Sequence, residues 1–234
     1  MRVKKMARGA AGQKALAMIV GAACLAAGIA AGVWLELSRQ QPKPAAAAET
    51  TVRFVNVWAG DAMPPFELPA LEEGGAPFRY PEDRDPAKVL VLNVHSPDCP
   101  CAANCAELIN EMATAGYGDA QIIGILSGAD RIETLVERVR EQIDQKVVSF
   151  PVYRDPGLKV KELLGAKRTP TIWVVDKAGR VAFVGAPEST LFPGAPGHRY
   201  LLREAVDAVR SGKPMEPPYF EPLGCPIEVD ESGA

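Results

Sequence analysis

A short apolar stretch running straight into a cluster of thiols constrains this chain more than any other feature. Val89 to Val94 is aliphatic except for Asn93 and is rich in β-branched residues, which is the pattern of a buried strand. Beyond it, Cys105, Leu108, Ile109 and Met112 recur at i, i+3, i+4 and i+7, while Asn104, Glu107, Asn110 and Glu111 fall largely on the opposite face. The join between strand and helix reads His95-Ser96-Pro97-Asp98-Cys99-Pro100-Cys101. Cys99 is therefore expected where a strand turns into a helix. The unpaired N–H groups and the dipole of a helix start favour a thiolate, the form that attacks disulfides and peroxides and ligates metals. A redox role is the first reading.

The three clustered cysteines differ in expected environment. Cys105 lies on the apolar stripe, where a small buried hydrophobe is an equally good account of it. Cys101 falls in the first helical turn, four residues from Cys105, within reach of a disulfide or a shared metal. Cys99 sits before the helix on a loop, beside Pro100, and so escapes the reading of a buried core hydrophobe. His95 and Asp98 stand close enough in sequence to tune Cys99, although a lone histidine at a strand end and a lone loop carboxylate each have ordinary explanations.

The chain of 234 residues is separable by composition. Residues 1–14 carry Arg2, Lys4, Lys5, Arg8 and Lys14 with no acid, and Ala15 to Leu35 contains no charge. That run is long enough to span a bilayer, and the basic flank predicts a cytoplasmic N-terminus. A single-pass signal anchor over 15–37 is expected, with the remainder extracytoplasmic, in a periplasm-like space. A cleaved signal peptide is the rival, but the small residues Ala45 to Ala48 lie well beyond the apolar run. Cys24 lacks the setting of a lipoprotein cysteine and reads as a small membrane residue. Residues 38–51, rich in Gln, Pro, Lys and Ala, suit an extended linker. The net charge is −3, and the basic residues concentrated before residue 41 leave the rest more acidic still. A surface of that kind, without basic clusters, argues against nucleic-acid binding.

From Thr51 onward, short strand-like and longer helix-like segments alternate. Strands are expected at Thr51 to Trp58, Val89 to Val94, Gln121 to Leu126 and Phe150 to Tyr153. Asp130 and Glu133 form a capping-box-like start to a helix whose Ile132, Leu135, Val136, Val139 and Ile143 share a face. Asp155-Pro156 opens another helix that Gly165 can end. Thr171 to Val175 and Val181 to Val184 flank Asp176-Lys177-Ala178-Gly179, a hairpin signature, and Leu202, Ala205, Val206 and Val209 mark a last helix. This order predicts an α/β domain over 52–212, a central mixed sheet flanked by helices, followed by a C-terminal tail at 213–234.

Three motifs carry a resemblance. Pro65-Phe66-Glu67-Leu68-Pro69 looks like an opening segment, Arg168-Thr169-Pro170-Thr171 like a cis-proline loop, and Gly224-Cys225-Pro226-Ile227 like a terminal Gly-Cys-x-Ile element. With Cys99 at the first active-site position, the chain from about Asp61 to Gly212 resembles the thioredoxin-like superfamily, in particular redoxins related to alkyl hydroperoxide reductase and thiol-specific antioxidant proteins. The resemblance implies a thioredoxin-like fold and Cys99 as the reactive thiol. It departs from those patterns in several places. A Cys-x-x-Cys motif would need cysteine at Ala102. The peroxiredoxin pattern would need proline at Leu92, with Ser96 standing in for its threonine, and an arginine near Pro170. Without groups that polarise a peroxide bond, disulfide exchange is expected ahead of peroxide reduction.

In that reading Cys99 attacks a protein or small-molecule disulfide lying across Thr169-Pro170, Cys101 or Cys225 resolves the mixed disulfide, and an unidentified thiol donor restores the reduced state. No cofactor is required. Two other functions stay open. Cys99, Cys101, Cys105 and His95 form a candidate soft-metal set, and Cys101-x-x-x-Cys105 resembles the spacing in Sco-type copper proteins, although the histidine those proteins draw from the proline loop is missing and His198 lies elsewhere. A fold retained purely for binding is the third.

Overall fold

The computed structural model describes residues 55–114, 117–128, 132–192 and 194–227. The expected basic segment, membrane anchor and linker all lie outside the described residues. Among the described residues no helix is long and apolar enough to cross a membrane.

The strands are β1 (Phe66–Leu68), β2 (Phe78–Tyr80), β3 (Val89–His95), β4 (Ala120–Leu126), β5 (Val152–Arg154), β6 (Arg168–Thr169), β7 (Thr171–Val175), β8 (Val181–Gly185), β9 (Tyr219–Phe220) and β10 (Cys225–Pro226). The α-helices are α1 (Pro100–Thr114), α2 (Ile132–Asp144), α3 (Lys159–Leu164) and α4 (Leu201–Arg210). Six strands form one mixed sheet in the order β5-β4-β3-β7-β8-β9. β3 runs parallel to β4 and antiparallel to β7, so it lies at the centre and every one of its residues is buried. A strand covered on both faces needs a largely apolar run, which Val89 to Val94 supplies with Asn93 as its one polar member.

Period-two alternation divides that run between two cores. Val89 and Val91 join Ile122, Ile172 and Val174 under α1, α2 and α4, whereas Leu90, Leu92 and Val94 join Ile123, Ile125, Trp173 and Val175 under the β1–β2 hairpin and α3. Each fully buried Leu, Ile or Val stabilises the fold by about 1.5–3 kcal/mol of transfer free energy. Trp173 is fully buried, and its indole N–H donates to the Val57 carbonyl at 2.9 Å, which satisfies the one polar atom it brings inside.

Several local expectations are realised. On α1, Cys105, Leu108, Ile109 and Met112 are all buried. The β7–β8 turn is held by Asp176, whose carboxylate accepts from Ala178 N and Arg180 N at 2.9 Å each, with Gly179 at φ 83°. Asp155 is buried and accepts from Val160 N at 2.9 Å and Lys161 N at 2.8 Å, so it fastens the start of α3, while Gly165 ends that helix in the left-handed region at φ 78°.

Three expectations need correction. Residues 55–58 form no strand: Val55 and Val57 are buried as the alternation predicts, but Asn56 N and Val57 N donate to the Leu164 carbonyl at the end of α3. Residues 51–54 and Asp130 lie outside the described residues. Ile143 extends the apolar pattern of α2 but is 38% exposed, because the helix outruns the sheet that buries Leu135, Val136 and Val139. The tail is not merely appended either, since it supplies β9 to the main sheet and β10 to the site below.

Candidate active site

β3 ends at His95, and a four-residue loop delivers Cys99 to the start of α1. The Cys99 carbonyl accepts from Ala103 N at 3.1 Å, and its own N–H donates to the Ser96 carbonyl at 3.2 Å. Cys99 thus occupies the position just before the first helical residue, and Pro100 follows at the one place where a helix tolerates the missing N–H. The thiol points inward and is 3% exposed.

The opposite wall comes from β6 and β10. The Thr169–Pro170 peptide bond is cis, as the resemblance implies, and the Cys99 thiol donates to the Thr169 carbonyl at 3.1 Å. β10 pairs antiparallel with β6, with Cys225 opposite Thr169 and Pro226 opposite Arg168. Arg168 clamps the tail by donating from Nη1 to the Gly224 carbonyl at 2.6 Å, and Ile227 N donates to the Lys167 carbonyl at 3.0 Å. Gly224 is there by steric need: a Cβ at that position would stand 1.9 Å from the Thr169 carbonyl oxygen.

This pairing gathers three thiols from distant parts of the chain. The Sγ atoms of Cys99, Cys101 and Cys225 all lie within 4.8 Å of one another, and all are free thiols. Their acidities diverge. Burial opposes the Cys99 thiolate, but hydrogen bonds from the Cys225 thiol, the Thr169 side chain and the backbone N–H groups of Cys225 and Ala102 outweigh it, and its pKa falls below the usual thiol range. The Thr169 hydroxyl is buried with no hydrogen-bond partner within bonding distance among the described residues, so its proton is uncommitted beside the Cys99 sulfur. Cys225 is pushed up to about 12, first by the hydrogen bond it gives Cys99, then by burial and by the neighbouring negative charge. Burial, and then the Cys99 charge, also raises Cys101. The result is one thiol of lowered pKa flanked by two of raised pKa.

The remaining sequence candidates are placed differently. Cys105 lies in the core beneath α1, its thiol against Glu188, and burial followed by that negative charge pushes it up to about 12. Glu188 is itself buried and meets His198 Nε2 at 2.5 Å. His95 is buried, with Nε2 3.2 Å from Gln142 Oε1 and its ring edge-on to Phe150, and burial lowers its pKa. Gln142 also donates to the Pro97 carbonyl at 3.4 Å, so this pair steadies the loop that carries Cys99. Asp98 forms an ion pair with Arg138 of α2. On Cys99, burial opposes the thiolate, and hydrogen bonds from Cys225, Thr169 and Ala102 favour it. The soft-metal set of Cys99, Cys101, Cys105 and His95 is not what assembles, because Cys225 takes the place given to Cys105 and His95 faces Gln142. Glu188, which lies between a strand and a helix in an irregular segment, offered no local signal.

Comparison with known proteins follows the same lines. A comparison with curated proteins finds no match. Among solved structures, a hypothetical protein from Sinorhizobium meliloti 1021 aligns with a TM-score of 0.65 and 26% identity, over 76% of this chain and 98% of that one. An uncharacterized conserved protein from Geobacillus kaustophilus aligns with a TM-score of 0.65 and 22% identity, over 76% of this chain and 96% of that one. The AhpC/TSA family model matches residues 59–184, a span that holds Cys99, Cys101, Cys105 and Pro170 but ends before Cys225. With more than half of its residues in that match and the Cys99 thiol set against a cis-proline loop, the chain belongs to the AhpC/TSA family and carries a thioredoxin-like redoxin domain.

Proposed function

We propose that the chain is a thiol–disulfide oxidoreductase in which Cys99 is the attacking thiolate and Cys225 the resolving thiol. The observation that carries this reading is the Cys99 sulfur held between the Thr169 carbonyl and Cys225, with its acidity raised by donors that favour the thiolate. Cys99 attacks one sulfur of a substrate disulfide, forms a mixed disulfide and expels the other sulfur as a thiolate. Cys225 then gives up its proton to the medium and attacks the Cys99 sulfur. The substrate leaves with two electrons gained, and Cys99 and Cys225 are left as an intramolecular disulfide that an external thiol donor reduces.

Cys101 also lies within 4.8 Å, but a Cys99–Cys101 ring would close through a single intervening residue, whereas Cys225 approaches from a separate strand free of that restriction. Peroxide reduction finds less support. Arg168, the guanidinium in the proline loop, is committed to the Gly224 carbonyl, and no arginine is among the groups acting on Cys99. In this reading the segment 15–37 anchors the domain to a membrane with the site on the extracytoplasmic side, where disulfide substrates persist.

Reduced protein is treated with a stoichiometric disulfide oxidant, and its disulfides are mapped by mass spectrometry of the unreduced digest. A Cys99–Cys225 bond is expected in the wild type, and a trapped mixed disulfide on Cys99 is expected in Cys225→Ser. A Cys99–Cys101 bond as the sole product would assign resolution to Cys101 instead. Absence of any Cys99 disulfide would remove the proposal.

A further inference from the structure

We infer that the reduced site is also a trigonal thiolate site for a soft monovalent cation, Cu(I), with Cys99, Cys101 and Cys225 as its three ligands. The inference goes beyond disulfide exchange and rests on a different property of the same sulfurs, their mutual spacing. A metal–sulfur bond of about 2.3 Å puts the three sulfurs of a planar site about 4 Å apart. Cys99, Cys101 and Cys225 already satisfy that spacing, since all three Sγ atoms lie within 4.8 Å of one another.

The donor set selects the ion. Thiolates are soft ligands that favour Cu(I) and zinc, but a structural zinc site takes four protein ligands. Among the described residues no histidine, aspartate or glutamate joins the three sulfurs as a fourth. His95 is engaged with Gln142, His198 with Glu188, and Cys105 lies against that same Glu188. Three sulfurs without a fourth donor suit an ion of low coordination number.

The surroundings fit an ion that arrives and leaves. Cys99 is buried while Cys101 and Cys225 are half-buried, so one side of the triangle faces the core and the other opens outward. The third ligand comes from a different element than the first two, and the Arg168–Gly224 contact and the β6–β10 pairing fix it in place. Binding involves no change of oxidation state: each thiol releases its proton to solvent as its sulfur ligates Cu(I). A Cys99–Cys225 disulfide removes two of the three ligands, so copper occupancy and the oxidised form exclude each other.

The test uses the full chain, reduced and anaerobic, titrated with Cu(I) presented as its bicinchoninate complex, with native mass spectrometry for stoichiometry. One Cu(I) per chain is expected to be withdrawn from the chelator. Cys101→Ser and Cys225→Ser are each expected to weaken retention at least about tenfold, and Cys105→Ser to leave it unchanged, with circular dichroism confirming that each variant is folded. Failure to withdraw copper, loss of retention in Cys105→Ser with retention kept in Cys225→Ser, or tighter retention of Zn(II) than of Cu(I) would each overturn the inference. Disulfide mapping on metal-free protein is read separately, so loss of exchange and loss of copper binding are distinguishable outcomes.

Discussion

The thiol of Cys105 lies against the carboxyl group of Glu188, and this contact separates it from the three other thiols of the domain. Burial and the Glu188 charge together hold Cys105 in its protonated form, with a pKa near 12. Native alkylation at neutral pH should therefore leave Cys105 unlabelled while Cys99 is modified, as read by mass spectrometry after an acid quench. Glu188→Gln removes the negative charge and should lower the Cys105 pKa, yet leave it above the ordinary thiol range because burial remains. Rapid labelling of Cys105 in the wild type would contradict this placement.

The rate at which iodoacetamide alkylates Cys99 follows its thiolate fraction. Because the folded environment lowers the Cys99 pKa, the pH–rate midpoint should fall below that of an unperturbed thiol. Cys225→Ala and Thr169→Val each delete a donor to the thiolate, so each should move that midpoint to higher pH, and the double variant further than either. Midpoints unchanged by both substitutions would show that these donors do not act on Cys99.

Gly224→Ala tests whether backbone proximity, and not the presence of Cys225 alone, governs resolution. An added Cβ collides with the Thr169 carbonyl, so β10 must move away from β6. Displacing a reacting sulfur by about an ångström costs on the order of 10²-fold in rate. Stopped-flow measurement of Cys99–Cys225 bond formation should show a loss of that size. The melting temperature should change little, because the two-residue strand lies at the margin of the fold. A wild-type rate in this variant would mean that the register of β10 is irrelevant to the chemistry.

Acid should destabilise the domain through His95. Its folded pKa lies below the unfolded value near 6.5, because burial penalises the imidazolium. Below that value the unfolded chain binds a proton that the folded one does not, so stability falls as pH drops from about 6.5 toward the folded pKa. The contribution of one such site is at most about 1.4 kcal/mol per pH unit. Urea titrations between pH 7 and 5 should show this slope, and His95→Gln should flatten it.

Asp155 makes a different contribution, through satisfied backbone donors. Asp155→Ala leaves Val160 N and Lys161 N without their acceptor at a buried helix start, and should cost about 1–2 kcal/mol in chemical denaturation. Asp155→Asn, which keeps one acceptor oxygen, should recover part of the loss.

What the sequence disclosed follows a physical division between local and distant signals. β3 and α1 were legible because one is a mostly aliphatic run broken only by Asn93 before His95, and the other an apolar stripe of helical period. The Asp176–Gly179 turn and the end of α3 at Gly165 were legible because those residues have backbone preferences of their own, whereas α3 begins at Lys159, not at Pro156, after left-handed Gly157 and Leu158. Residues 55–58 alternate as a strand would, yet their N–H groups find the carbonyl end of α3, a partner that no local pattern specifies. The same limit applied at the site. Cys99 could be singled out from its neighbours in sequence, whereas the placement of Cys225 beside it depends on a two-residue strand paired across the fold. The only local trace of that pairing is glycine at 224, the residue type that lets one backbone lie closely against another.

The β6–β10 pairing has a consequence for anything that docks as an extended polypeptide. The edge of β6 beside Pro170 is a receptacle already filled by the protein's own Gly224 to Ile227. A visiting strand that seeks Thr169 has to evict Cys225, and in doing so carries away the sulfur that would release it. Small disulfides escape this competition, since they need reach only a sulfur and not an edge. The tail thus acts as a tethered competitor whose local concentration no free peptide matches, and it returns to its seat as soon as the visitor's grip on β6 loosens.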